Sequence, residues 1–112
     1  MYPHALHHVQ LSIPPGGETT ARAFYSDLLG LEEAPPPEGR TGLWFSRGEL
    51  YLHLDVSENF RPARSAHPAF LVRRLPPLAE RLGRAGVAVD WAEDRFFLND
   101  PFGNRIEIIP EG

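Results

Sequence analysis

Apolar and polar residues alternate in several short stretches, and each such stretch predicts a strand with one buried face, because successive strand side chains point to opposite sides of a sheet. From His7 to Ile13, the residues Val9, Leu11 and Ile13 take one face and His8, Gln10 and Ser12 the other. In the stretch from Glu49 to Val56, Leu50, Leu52, Leu54 and Val56 form the apolar face, so Tyr51 and His53 point the opposite way. Ile106 and Ile108 bracket Glu107 in a strand from Arg105 to Ile109. The stretch from His67 to Val72 alternates less cleanly, with Ala69 and Leu71 on the side of His67. Helical spacing appears twice. Ala21, Phe24, Tyr25 and Leu28 make an apolar stripe on a helix from Glu18 to Leu29, stopped by Gly30, and Leu78 and Leu82 do so from Pro77 to Ala85, stopped by Gly86. Leu43 to Arg47, Val87 to Trp91 and Arg95 to Leu98 complete the strands, with tight turns at Arg47-Gly48 and at Asn99-Asp100-Pro101-Phe102-Gly103-Asn104.

The order of these elements repeats. The second half reads strand, helix, three strands, and the first reads strand, helix, then short strands ending at Val56, so each is taken as a βαβββ unit and the chain is expected to be one α+β domain over residues 1–112. It comprises a βαβββ module at 4–56, a polar, arginine-bearing linker at 57–66 and a second βαβββ module at 67–110. The two modules should form a cupped mixed sheet with the helices on its convex face. His8 and His67 then fall on the first strand of their halves, and His53 and Glu107 on the last. A concave polar face would bring three imidazoles and a carboxylate together, the donor set of a transition-metal site without sulfur. Alternation assigns His8 to that face and turns the adjacent His7 away from it.

Composition narrows the chemistry. The 112 residues suffice for one core, and 42% hydrophobic with 23% charged residues is ordinary globular usage. All 11 basic residues are arginines, which excludes a Schiff-base lysine, and a net charge of −4 gives no basis for binding nucleic acid. The chain has no cysteine, so thiolate ligands, disulfides and a cysteine nucleophile are excluded. The opening Met1-Tyr2-Pro3-His4 is neither a charged nor an apolar leader, and no apolar run approaches spanning length, so a cytoplasmic protein without a membrane partner is expected. Gly16-Gly17 lacks the spacing of a phosphate-binding loop, and no Gly-x-Ser-x-Gly segment is present.

Four segments carry a resemblance over nearly the whole chain: His8-Val9-Gln10-Leu11, Ala23-Phe24-Tyr25 through Leu28-Leu29-Gly30-Leu31, His67-Pro68-Ala69-Phe70, and Asp100-Pro101-Phe102-Gly103-Asn104-Arg105-Ile106-Glu107. Together they resemble the vicinal oxygen chelate superfamily of glyoxalase I, extradiol dioxygenases, fosfomycin-resistance proteins and bleomycin-binding proteins. The resemblance implies that His8, His67 and Glu107 are metal ligands. His53 falls where glyoxalase I places a second glutamate, or where the dioxygenases place an acid/base histidine. It therefore stands as either a fourth ligand or, with Glu107, a catalytic group. Phe96 and Phe97 stand where the dioxygenases carry a tyrosine, and retention of all four ligands sets the chain apart from the bleomycin-binding branch.

The implied function is that of a metal-dependent enzyme that chelates a small substrate through neighbouring oxygens, for isomerase, lyase or oxygenase chemistry. A non-catalytic small-molecule or drug-binding protein of the bleomycin-resistance type is the alternative, and it would bind its ligand regardless of chelator. The divalent ion would be Fe, Mn, Ni or Zn. Gln10 and Tyr51, on the faces of His8 and His53, are the candidate substrate-binding residues. Relatives commonly pair modules between chains, and a short chain buries more apolar area by dimerising. A homodimer is therefore expected, with His8 and His53 of one chain facing His67 and Glu107 of the other. Arg61, Arg64, Arg73 and Arg74 either bind an anionic substrate or face water, Trp44 and Phe45 either line the pocket or pack beneath a helix, and Asp27, Glu32 and Glu33 form an acidic, solvated patch.

Overall fold

Each half of the chain builds its own four-stranded mixed sheet. The computed structural model describes every residue from Met1 to Gly112. The first module contains β1 (Val9–Ile13), a helix α1 (Glu18–Arg22) that continues as a π-helical segment (Ala23–Leu28), β2 (Glu32–Ala34), β3 (Leu43–Arg47) and β4 (Leu50–Val56). The second contains β5 (Ala69–Val72), α2 (Leu75–Arg84), β6 (Asp90–Ala92), β7 (Arg95–Asn99) and β8 (Arg105–Pro110). Strand order is β1-β4-β3-β2 in one sheet and β5-β8-β7-β6 in the other. The first and last strands of each module run parallel, which the intervening helix makes possible, and the remaining pairs are antiparallel. The expected α+β architecture of two βαβββ modules is therefore present. Where one cupped sheet was expected, the chain forms two sheets that share no hydrogen-bonded strand pair, with β1 and β2 at the edges of one and β5 and β6 at the edges of the other.

The apolar faces meet in one core. Leu11, Ile13, Leu52 and Leu54 from the first sheet join Phe70, Phe96, Leu98, Ile106 and Ile108 from the second, with Phe24, Tyr25, Leu78 and Leu82 from the helices. Phe24 and Tyr25 are consecutive and both buried. The widened turn that carries them, in which the Leu29 amide bonds the Phe24 carbonyl, departs from the uniform helix expected over this stretch. It ends at Gly30 in the left-handed region (φ 78°). α2 starts at Leu75, ahead of the expected Pro77, because Pro76 and Pro77 sit in the first turn, where a missing N–H costs nothing.

The Asp-Pro-Phe-Gly-Asn turn does more than reverse the chain. Asp100 Oδ1 accepts the amides of Phe102 and Asn104, while Oδ2 accepts the Asn104 side-chain amide at 2.9 Å and the Tyr25 hydroxyl at 2.6 Å. Asn104 in turn donates to the Ser12 carbonyl and accepts from the Ala63 amide. Tyr25, Asp100 and Asn104 are all buried. Burial first, and then the Asp100 carboxylate, push the Tyr25 phenol far above its usual pKa, so it remains a hydrogen-bond donor. This network ties helix, linker and β1 of the first half to the turn that launches β8.

Gly42 opens β3 with φ 89°, and an added Cβ would lie 2.4 Å from the Leu54 carbonyl oxygen. Gly42→Ala should therefore cost about 2–4 kcal/mol, from backbone strain plus that clash. A lowered denaturant midpoint at unchanged slope would register the loss.

Candidate metal centre

The same register places one pair of candidate ligands in each module. On β4, His53 pairs with Gln10, two residues after His8; on β8, Glu107 pairs with Ala69, two residues after His67. The aromatic neighbours obey the same symmetry, since Trp44 is the β3 partner of His53 and Phe97 the β7 partner of Glu107. Both first-strand histidines lie just ahead of their strands, which begin at Val9 and Ala69. Strand alternation therefore does not reach back to His7. It does not turn away from the site face: its ring stacks on Tyr51 at 5.7 Å, and its Nδ1 lies 2.9 Å from Nδ1 of His8.

In the second module the imidazole of His67 faces the carboxylate of Glu107. His67 Nδ1 is 2.8 Å from the Ser65 carbonyl oxygen, which can only accept, so that nitrogen carries hydrogen. Nε2 then faces Glu107 Oε1 at 3.1 Å. In the neutral ring this opposes a lone pair to a carboxylate, and the Ser65 carbonyl together with Glu107 raises the imidazole pKa. Either a proton or a metal ion relieves that opposition. Two ligands bonded at about 2.1 Å and at right angles about a metal stand roughly 3.0 Å apart, so the observed spacing already fits. Glu107 Oε2 is held by Arg95 Nη1 at 3.1 Å. That contact, followed by the one with His67, keeps the carboxylate below its usual pKa and ionised.

In the first module, His53 is 6% exposed and sandwiched between the indole of Trp44 (3.6 Å between centroids) and the ring of His8 (4.2 Å). Burial first, then His8, His7 and Arg40, depress its pKa, which leaves it neutral and able to offer a lone pair. Trp44 donates to the Thr41 carbonyl, which fixes the indole over the histidine. Gln10 lines a cavity of about 160 Å³ with His8, Arg40, Trp44 and His53, whereas Tyr51 is exposed under His7. Phe45 packs in the core while Trp44 faces the site, so the two aromatics part company. The arginines at 61, 64, 73 and 74 are all exposed. Glu33 of the acidic patch is paired with Arg22 at 2.8 Å, and that contact raises the arginine's pKa.

The two pairs are not brought together within one chain, which contains no cluster of three or more potential ligands. His8 joins His53 on one sheet, and His67 joins Glu107 on the other. Arg40 and Arg95 are the site arginines that the sequence did not single out. Their signal lies in strand pairing and loop placement, which periodicity alone does not supply.

Solved structures place this arrangement in a family. A Bacillus anthracis protein assigned to the glyoxalase family is 41% identical over all of this chain and 98% of its own, with a TM-score of 0.90. The chain belongs to the glyoxalase family. Its wider setting is the vicinal oxygen chelate superfamily, as the sequence segments implied. A glyoxalase family protein from Enterococcus faecalis (23% identity, TM-score 0.72, 96% of this chain and 98% of that one) shares the fold. So does the fosfomycin resistance protein FosX from Listeria monocytogenes (15% identity, TM-score 0.76, 99% and 94%). No protein-family model and no protein of curated function matches this glyoxalase-family chain. None of its helices is long and apolar enough to cross a membrane.

Proposed function

We propose that this glyoxalase-family protein is a metal-dependent enzyme that holds a small substrate through two neighbouring oxygens, with His8, His53, His67 and Glu107 as the ligand set. The observation that carries the reading is the His67–Glu107 pair, whose Nε2 and Oε1 sit at the spacing of adjacent metal ligands and have no hydrogen-bonding partner but each other. A bound divalent ion (Fe, Mn, Ni or Zn) would supply Lewis acidity to the substrate oxygens. The chain's own residues do the rest. Ser65 fixes the tautomer of His67, and Arg95 holds Oε2 of Glu107, so that Oε1 alone is offered. The neutral His53, kept from water by Trp44, is suited to ligate or to accept a proton from substrate, and Gln10 is placed to orient it.

We further propose that the site is completed in a homodimer. Each sheet carries two of the four ligands, and the edge strands β1 and β5 lie beside β4 and β8, which carry His53 and Glu107. Unpaired edges are templates for association. Leu71 on β5 is 65% exposed, an apolar side chain with no cover in the single chain.

Elemental analysis of the purified protein should find a stoichiometric divalent metal, and chelation should lower Tm, since a ligand of the native state stabilises it by mass action. Protein purified without chelator that holds no metal, and whose Tm no divalent ion raises, contradicts the reading. Metal uptake must displace any proton on His67, whose pKa is raised. Affinity should therefore fall as pH drops through that pKa, with proton release visible when titrations are repeated in buffers of different ionisation enthalpy.

A further inference from the structure

We infer that the N-terminal arm, Met1 to His7, adds as a short strand to the open edge of β5 in a second copy of the chain. The inference gives the homodimer proposed above a specific contact and rests on that reading, with no part for the metal. Sheet edges invite such pairing unless something blunts them, and three of the four edges are blunted. β2 is three residues long and presents Glu32 and Glu33. β6 is equally short and opens on Asp90, which Arg105 holds at 3.1 Å. β1 is closed at Ser12, whose carbonyl accepts the Asn104 side-chain amide at 3.0 Å. β5 has no such guard. Its residues Ala69, Phe70, Leu71 and Val72 carry no charge, and Ala69 and Leu71 are exposed. The carbonyls of Pro68 and Val72 accept the amides of Glu107 and Glu111 on the β8 side, so the two-residue repeat turns the backbone groups of Ala69 and Leu71 to the open side.

The arm is the complementary part. Residues 1–8 are all exposed and belong to no helix or strand, and no backbone hydrogen bond ties Met1 to Leu6 to the rest of the chain. Tyr2 and Leu6 are 88% and 81% exposed, so the single chain covers neither. The arm holds no carboxylate side chain and no guanidinium, which suits an edge without charge. Other stretches outside the elements are less fit for pairing. Residues 35–42 begin with three prolines, and 57–66 carry Arg61, Pro62 and Arg64 and are tied through Ala63 to Asn104 and Arg105. The proline of the arm is harmless. The Ile13 carbonyl bonds on the β4 side, so Gln10 and Ser12 turn their backbone groups to the open edge of β1. In phase with them, His4 and Leu6 turn theirs to β5, while Pro3, with no N–H to give, turns away. Each chain has one arm and one open edge, so an exchange about a two-fold axis satisfies both and closes the pair.

The test is sedimentation over a series of concentrations, with amide exchange, on wild type, a chain lacking residues 1–6, and Leu71→Lys. The deleted residues and the Leu71 side chain are exposed, so both variants should fold, which circular dichroism checks. Wild type should dimerise, and both variants should do so with a Kd about tenfold higher or more, the scale of two lost backbone hydrogen bonds. The Ala69 and Leu71 amides should gain protection in step with the dimer fraction in wild type and exchange freely in the truncated chain. Either variant dimerising as tightly as wild type overturns the arm contact and leaves the homodimer reading standing. Protection of those amides in a wild-type monomer, lost on truncation, means that the arm folds onto its own chain and also overturns the contact. Wild type that stays monomeric at the highest attainable concentration overturns both.

Discussion

Asp100→Ala should cost about 3–5 kcal/mol of folding stability, the scale expected when a buried carboxylate is removed from a network of donors. The substitution strips acceptors from the Phe102 and Asn104 amides, from the Asn104 side chain and from the Tyr25 hydroxyl, all but the part-buried Phe102 amide in a buried setting. Tyr25→Phe is the milder probe. It removes one donor, and Oδ2 keeps the bond from Asn104, so a loss of about 1–3 kcal/mol is expected. Denaturant melts of the two variants, compared with wild type, give both numbers. Because Asn104 also reaches Ser12 and Ala63, the loss should loosen the join between modules first. Amide exchange should then rise at Ala63 and at the Phe102 and Asn104 amides before it rises in the strand interiors. An Asp100→Ala protein within about 1 kcal/mol of wild type would show that the turn holds its shape without the network.

Glu107→Gln should lower metal affinity by about a hundredfold or more, beyond the roughly 10–100-fold that loss of an outer partner costs. The amide keeps the size of the side chain and can still meet His67, but it brings no charge to the centre and leaves Arg95 with Asp94 as its one carboxylate. His67→Ala should act in the same direction. Tyr51→Phe, at an exposed ring stacked on His7, should leave metal affinity where it was. Competition titrations against a chromophoric chelator measure all three. Equal losses in Tyr51→Phe and Glu107→Gln would mean that the ion is bound elsewhere.

The duplicated architecture could be read from the chain because its strands are amphipathic and its helices punctuated by Gly30 and Gly86. Alternation placed His53 and Glu107 on the polar faces correctly, since both lie inside strands with leucine or isoleucine on either side. It failed at His7, which lies ahead of β1, where side-chain direction follows local contacts with Tyr51 and His8 in place of the pleat. The role of Trp44 needed the pairing of β3 with β4, and that of Arg95 the pairing of β7 with β8. Register between strands is a non-local property that no window of sequence contains. The Asp100 turn was visible as a turn. Its function as a lock was not, because Tyr25 lies 75 residues away in the chain. The π-helical winding of Ala23–Leu28 likewise answers to the burial of two adjacent aromatics, which the apolar stripe did not distinguish from an ordinary helix.

In the proposed dimer each metal centre draws two ligands from each of two chains. That sharing is tested most directly by a mixed dimer of differently tagged chains, one carrying His8→Ala with His53→Ala and the other His67→Ala with Glu107→Ala, purified through both tags and assayed for bound metal. Shared sites predict no tightly bound metal in either parent and one ion per mixed dimer, because the intact halves of the two chains meet in a single centre. A mixed dimer as empty as its parents, beside a wild type that holds metal, would contradict the account.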